Sequence, residues 1–243
     1  MLYNIDVNQM NQLMEENETA QQIIRQLLEN HHMIIRTISH EIRNPLTLIS
    51  SSLQIMQIQH PEVQSFPHWK QTLHDVDFMR KLLEELSSLN SVDDLHYSVF
   101  SMEQILKNIA ISFAISLDRE HSPIQFSASI SPTLGNFTGD RIKLEEVFLN
   151  LLKNAADAIH ENGKILFKAS RQKDRLMITI EDNGCGIPEE YLESIFEPFK
   201  TYKPEGTGLG LFLSQRIVEA HNGTISVTST EKSGTVFSVE FPV

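Results

Sequence analysis

The chain has 243 residues, 40% of them hydrophobic, and its 20 Lys+Arg against 32 Asp+Glu leave a net charge of −12 with His neutral. Both halves are acidic, with 6 positive and 13 negative side chains in residues 1–95 and 14 and 19 in residues 98–243. This argues against a nucleic-acid binder, whose affinity rests on a basic face that neutralises phosphates. Any phosphate chemistry here must use local groups.

From about residue 8 to residue 92 the chain is Gly-free and broken only at HPEVQSFPHW, with apolar residues at helical spacing. It reads as two long helices joined by a Pro-containing turn. In the first, Leu28, Ile35, Ile42, Ile49 and Met56 fall seven apart, flanked by Ile24 and Ile38 on one side and Leu27, Ile34, Leu48 and Ile55 on the other. The second repeats the stripe with Trp69, Val76 and Leu83, plus Leu73, Met79, Leu82, Leu86 and Leu89. Two helices bury little by themselves, so a stripe this wide predicts a second copy of the hairpin and a dimeric four-helix bundle. Residues 8–30, with Met10, Leu13, Ala20, Ile24 and Leu27 at 3/4 spacing and Asn17 as a polar interruption, predict a signalling coiled coil.

After SVDDLHYS the pattern changes. A helix over about 102–120 precedes the alternating strand IQFSASI, a second helix spans about 140–160, and the strands KILFKAS and RLMITIED follow. A Gly-rich segment leads to a helix over about 209–221, and TISVTST and TVFSVEFPV close the chain. Helices and strands mix without a regular strand–helix repeat, which predicts an α+β sandwich with helices on one face of a mixed sheet. The single Cys185 excludes an intramolecular disulfide framework. With no basic leader and no apolar run of about 18 residues, the chain is expected to be soluble and cytoplasmic, or the cytoplasmic portion of a longer membrane-bound protein.

Chemistry concentrates first in Ser39-His40-Glu41-Ile42-Arg43-Asn44-Pro45, in the middle of the first helix. At ~100° per residue His40 lies roughly 160° from the centre of the apolar stripe and is therefore exposed. A surface histidine is ordinarily just solvated. Here Glu41 could orient one imidazole nitrogen and leave the other as a nucleophile. Asn44, one turn on, could hold a water or the incoming group. Pro45 cannot donate to the Glu41 carbonyl, so a bend is expected beside the histidine.

The second concentration is spread along the C-terminal part. In EEVFLNLLKNAADAI, Asn150, Asn154 and Asp157 recur on one polar stripe, and amide oxygens suit a hard cation such as Mg²⁺. Asp182-Asn183-Gly184-Cys185-Gly186-Ile187-Pro188 follows a strand directly: Gly184 and Gly186 permit close approach of a ligand, and Asp182 can accept from an exocyclic amine. Alone, such a turn is weak evidence. Gly206-Thr207-Gly208-Leu209-Gly210-Leu211 opens a helix whose free N–H groups could cradle phosphate, with Lys203 to neutralise it. The spacing fits neither a Walker A loop nor a dinucleotide fingerprint. A lid over about 197–207 would exclude water on closing.

Taken together these residues resemble the sensor histidine kinases of bacterial two-component signalling, over residues 31–243. Ser39 to Pro45 matches the phospho-acceptor motif and Asn150 to Ala158 the N box. Asp182 to Pro188 matches the G1 box, Phe196-Glu197-Pro198-Phe199 the F box, and Gly206 to Leu211 the G2 box. The short lid ending in Thr201-Tyr202-Lys203-Pro204-Glu205 is similar to that of the sporulation kinases of endospore-forming bacilli. The resemblance implies a signalling segment over 1–30, a dimerisation and phosphotransfer hairpin over 31–95, and a Bergerat-type α/β sandwich that binds ATP over 98–243. It implies that His40 is phosphorylated, that Asp182 reads adenine, that Asn154 holds Mg²⁺ and that Lys203 meets the γ-phosphate. Asn150 and Lys153 would support metal and phosphates, with Gly184, Gly186, Ile187, Gly206, Thr207, Gly208, Leu209 and Gly210 lining the nucleotide.

In related ATPases that hydrolyse ATP, a Glu stands where this chain has Asn150, which fits a nucleophile arriving from elsewhere. The implied partners are a second copy of the chain, a response-regulator receiver domain docking near His40, and a protein inhibitor that could bind the hairpin; nucleic acid is not among them. Two rival readings are weaker. An ATPase clamp leaves the His40 block unused, and a non-catalytic dimeric scaffold makes five ordered motifs accidental.

Overall fold

The computed structural model describes residues 17–243 apart from 91, 93, 204 and 205, and apart from the side chains of helical residues 18, 25, 28, 29, 31, 32, 36 and 90. The chain divides into two compact units, one running to Asn90 and one over Ser91–Val243.

The first unit is an antiparallel hairpin: helix α1 (Glu18–Gln59), a 3₁₀ turn (Pro61–Ser65) and helix α2 (Trp69–Asn90). Asn17, the polar interruption of the expected coiled coil, stands at the start of α1. It caps this helix: its backbone is extended and its Oδ1 accepts from Thr19 N (3.0 Å) and Ala20 N (3.1 Å). A short amide side chain competes with the backbone inside a helix but satisfies orphan N–H groups at its start. The part of the coiled coil expected before Asn17 lies outside the described residues. α1 continues unbroken through Pro45.

The intrachain seam of the hairpin is narrower than the apolar stripe, and it is offset from it. Ser39, Leu46, Val76 and Leu83 are buried, with Leu53 packed against the last three. Positions 39, 46 and 53 are one heptad row, four residues on from the row of Ile35, Ile42 and Ile49. That second row stays open to solvent in the single chain: Ile42 is 46% exposed, Ile49 48% and Met56 49%. Across the seam Arg43 Nη2 donates to Ser87 Oγ at 2.8 Å, and Ser87 Oγ donates to the Leu83 carbonyl.

The second unit is a two-layer α/β sandwich. Its elements are β1 (Ser98–Ser101), α3 (Met102–Arg119), β2 (Ile124–Ile130), β3 (Asn136–Gly139), α4 (Arg141–Asp157), β4 (Gly163–Gln172) and β5 (Arg175–Asp182), then the short α5 (Glu189–Leu192), α6 (Gly210–Ala220), β6 (Thr224–Thr230) and β7 (Gly234–Pro242). Five strands form a mixed sheet in the order β2-β4-β5-β7-β6, in which β2 runs parallel to β4 and every other neighbour is antiparallel. β1 and β3 make a separate antiparallel pair, from Ser98 opposite Gly139 to Ser101 opposite Asn136. These two strands and α5 span only four residues each, too few to show a period in the sequence.

Alternation along the strands explains the layering. Ile165, Phe167 and Ala169 of β4, Leu176, Ile178 and Ile180 of β5, and Phe237, Val239 and Phe241 of β7 are buried on one face. The buried stripes of α3 (Ile105, Leu106, Ile109), α4 (Leu144, Phe148, Leu151) and α6 (Leu213, Ile217) supply the other half of the core. Phe148 of α4 meets Phe167 of β4 with ring centroids 6.4 Å apart. The opposite face carries polar residues such as Lys168, Thr179 and Ser238, as expected of a sheet covered on one side.

Candidate functional site

In the hairpin, His40, Glu41 and Asn44 are exposed on α1, between buried Ser39 and Leu46. Burial of those two turns fixes the face on which the imidazole stands. Among the described residues no hydrogen bond joins His40 to Glu41, consistent with consecutive helical residues pointing apart. Arg43, which the sequence gave no separate role, ties the acceptor turn to α2 through Ser87.

In the second unit the Gly-rich motifs gather around α4. Asp182 ends β5 and is 5% exposed. Its Oδ1 accepts the Gly184 N–H at 2.8 Å, closing a tight turn. Burial pushes the Asp182 carboxyl above its ordinary value, against the opposing pull of N–H bonds from Gly184 and Thr235 and of the Lys203 charge. The turn is held from two sides. Cys185 N–H donates to the Ala158 carbonyl at the end of α4 (2.9 Å), and Lys232 N–H donates to the Cys185 carbonyl (2.7 Å). Ile187 N–H donates to Ser229 Oγ at 2.8 Å. A Cβ on Gly184 would stand 2.5 Å from the Ala158 carbonyl oxygen; at Gly186, where φ is +68°, it would stand 2.2 Å from that of Thr230. Only glycine fits either place. Cys185 itself is exposed and contributes backbone.

The second glycine segment starts α6. No side chain caps this helix; Leu209 precedes it, and Thr207 Oγ1 accepts from Leu209 N–H before the first turn. Its leading N–H groups lie at the positive end of the helix, an arrangement suited to an anion. Gly208 has φ +72° and returns its carbonyl to Phe199 N–H (2.9 Å). Gly210 lies against Asn150, whose Oδ1 would be 2.7 Å from an added Cβ. Asn150 Nδ2 donates to Ser214 Oγ at 2.9 Å, so α4 and α6 are joined here by side chains. Gly206 packs against Thr201, and Lys153 is exposed on α4.

Lys203 ties the segment before α6 to α4. Its Nζ donates to Asn154 Oδ1 and to Asp157 Oδ2, each at 3.0 Å. The next residue back, Tyr202, stacks on Tyr191 of α5 with centroids 3.6 Å apart. The ammonium group shows that these two oxygens converge on a cation, and an amide and a carboxylate oxygen are the donor type that Mg²⁺ prefers. Asp157 is the member of this pair that the sequence placed on the stripe without giving it a role. Among the described residues no group of three or more His, Cys, Asp or Glu could hold a metal ion, so a cation here would depend on phosphate oxygens and water as well. None of the described helices is long and apolar enough to cross a membrane.

Comparison with known proteins agrees with this geometry. Residues 139–243 match the family of histidine kinase-, DNA gyrase B-, and HSP90-like ATPases. The chain is 33% identical over 207 residues to the signal transduction histidine-protein kinase AtoS of Escherichia coli, covering 85% of this chain and 34% of that protein. It is 30% identical over 207 residues to sporulation kinase C of Bacillus subtilis, covering 85% of this chain and 47% of that one. Among solved structures, the catalytic domain of histidine kinase ThkA is 30% identical and superposes with a TM-score of 0.54, covering 60% of this chain and 95% of that domain. The chain thus spans about a third to a half of the length of these curated relatives. With the sandwich, the ordered glycine motifs and the helical hairpin all in place, the chain belongs to the sensor histidine kinases of two-component signalling.

Proposed function

We propose that the chain is an ATP-dependent protein-histidine autokinase that phosphorylates His40 and passes the phosphoryl group to an aspartate of a response-regulator receiver domain. The observation that carries this reading is Asn150. Its Nδ2 is a donor committed to Ser214 Oγ, so it cannot take a proton from water as a carboxylate would. The nucleotide domain therefore needs a nucleophile from elsewhere in the assembly, and the exposed His40 is suited to the task.

In the proposed step the neutral imidazole is the tautomer with its proton on Nδ1, and Nε2 attacks the γ-phosphorus in line. The Nε2–P bond forms as the bond from phosphorus to the β–γ bridging oxygen breaks, and ADP leaves with that electron pair. The imidazolium is relieved of charge at Nδ1, with Glu41 as the nearby carboxylate. Asn44 stands one turn away to orient water or the receiver's carboxylate. Such transfer is governed by positioning and charge neutralisation. Asp182 accepts from the adenine amine, the start of α6 and Lys203 bind phosphate, and Asn154 is the residue that would hold Mg²⁺. Bound there, the metal would neutralise charge on the phosphates.

Exposure of Ile42, Ile49 and Met56 supports a homodimer built through the hairpin as a four-helix bundle, with residues 31–95 as the phosphotransfer unit and 98–243 as the ATP-binding unit. The hairpin is also the surface for a receiver domain or a protein inhibitor, and the proposed location is cytoplasmic. Identity to AtoS and to sporulation kinase C is nearly equal, so the comparison does not single out sporulation as the pathway. The test is stoichiometry: the protein should convert ATP to ADP in a burst matched by phosphoprotein, with little free phosphate. Steady release of phosphate without phosphoprotein would overturn the reading.

A further inference from the structure

We propose that Tyr97 and His221 form a joint through which the segment leading from the hairpin is fixed to both nucleotide-binding helices, making them positioning residues for phosphoryl transfer. This rests on the autokinase reading only for the rate it invokes.

At the centre of the joint are two buried groups that the proposed reaction does not use. Asp140 is 6% exposed and His221 4%. Asp140 caps α4, its Oδ1 accepting from Lys143 N–H at 3.1 Å, while its own N–H donates to His221 Nε2 at 2.8 Å. His221 caps the other end of α6, where its Nδ1–H donates to the Ile217 carbonyl at 2.7 Å. The two bonds together assign the Nδ1–H tautomer. The start of α4 and the end of α6 are therefore clasped. Further along they are joined again, at mid-helix, by Asn150 Nδ2 on Ser214 Oγ, and Ser214 Oγ donates in turn to the Gly210 carbonyl one turn back within α6. The N box begins at this second contact, and the G2 glycines lie one turn back at the start of α6. α4 and α6 thus lie antiparallel, pinned at one end by the Asp140–His221 pair and at mid-helix by Asn150 and Ser214, where the nucleotide motifs begin.

The linker enters at the second pin. His96 N–H donates to Asp140 Oδ2 at 2.9 Å, so one carboxylate holds both the linker and the first turn of α4. Burial alone would raise this carboxyl, but N–H bonds from His96, Lys143 and Ile142 and the Lys143 charge outweigh it and hold Asp140 below its ordinary value. Tyr97 Oη donates to the Ala220 carbonyl at 2.8 Å, and its ring lies 5.4 Å from that of His221. The room is tight: a Cβ at Gly139 would come within 2.7 Å of His221 Cδ2. Two consecutive linker residues, six and seven beyond Asn90, therefore grip one end of α4 and one end of α6. A helix is stiff along its axis, so a shift at that end is carried to the other.

The test uses the full chain and Tyr97→Phe, which removes one hydroxyl from a side chain that is 53% exposed. Amide hydrogen exchange should rise around 96–97 and in α4 and α6, including residues 150–158 and 210–214. Affinity for AMPPNP should stay within about twofold, and phosphorylation of His40 at saturating ATP should slow by about threefold to tenfold. His221→Leu should do the same more strongly. His221→Gln, whose Oε1 can still accept the Asp140 N–H, should recover part of the loss. Exchange that rises only beside residue 97 would overturn the proposal, whether or not the protein labels. So would a rate that falls only in proportion to affinity or melting temperature. Wild-type protein that never takes label would instead sink the autokinase reading, and the exchange pattern would still decide the joint.

Discussion

Lys203 Nζ lies 3.0 Å from Asn154 Oδ1 and 3.0 Å from Asp157 Oδ2, so the lysine proposed to meet phosphate is held by the oxygens proposed for the metal. On the proposed assignment, Mg²⁺ and the lysine would compete for Asn154. Replacing Asp157 with Asn weakens the hold on Lys203 without removing the Asn154 oxygen. The Lys203–Asp157 pair is largely exposed, so the effect should be small: half-maximal Mg²⁺ for AMPPNP binding should change by no more than about threefold. Asn154→Ala, by contrast, should abolish Mg²⁺ dependence, and EDTA should reduce the wild type to the level of that variant. Calorimetric titration with and without Mg²⁺ checks both.

Asp182 gives a pH signature. Its folded carboxyl titrates above its ordinary value because it is buried, so the folded state binds the proton more tightly than the unfolded one. The stability cost of ionising it is present above the folded pKa and disappears as pH falls through that value. The proposed adenine contact should have the opposite sense, because the ionised carboxylate is the better acceptor. Adenosine affinity should therefore fall as pH is lowered through the Asp182 titration. Asp182→Asn should lose about tenfold or more at neutral pH, the scale of a charge-assisted bond, and show a flatter profile. Equal profiles for the two proteins would remove Asp182 from the adenine site.

Gly186→Ala tests the glycine turn. The new methyl would meet the Thr230 carbonyl oxygen at a φ of +68°, a clash with backbone that cannot swing aside. The expected loss of stability is about 1–3 kcal/mol or more, with nucleotide binding lost in parallel. Thermal melting with and without AMPPNP measures both. A variant with unchanged melting temperature would show that the turn is looser than its contacts imply.

Ile49→Glu tests the open face of the hairpin. The side chain is 48% exposed in the single chain and lies outside the Leu46–Val76–Leu83 seam, so the hairpin should still fold. Light scattering should show a dimer for the parent and a monomer, or a dimer weakened by at least about tenfold, for the variant. A variant as dimeric as the parent would place the interface elsewhere.

Much of this molecule is legible in its sequence because its periods are long. The stripes of α1 and α2 and the alternation of β4, β5 and β7 run for several repeats, and their order excludes a regular parallel sheet. The exposure of His40 follows from counting residues around α1. What could not be read were features set by contacts distant in sequence. β1 and β3 exist only because SVFS finds NFTG. The row of α1 that faces α2 depends on which side of a wide stripe the turn presents, and it proved to be that of Leu46. The amide of Asn17 serves the first free N–H groups of α1, a capping role that a polar residue in an apolar stripe does not announce. The Asp140–His221 pair spans 81 residues and has no local signal at all. The convergence of Asp182, Asn154 and Lys203 was expected only through family resemblance, since spacing alone left each motif weak.

The central claim is that phosphate from ATP goes to His40. The direct measurement is incubation of the full chain with γ-labelled ATP and Mg²⁺, followed by acid and alkali treatment and comparison with His40→Gln. The account predicts an acid-labile, alkali-stable phosphoprotein that is absent from the variant, while the variant still binds AMPPNP. Label that persists in His40→Gln, or ATP hydrolysed with no labelled protein at any time, would contradict it.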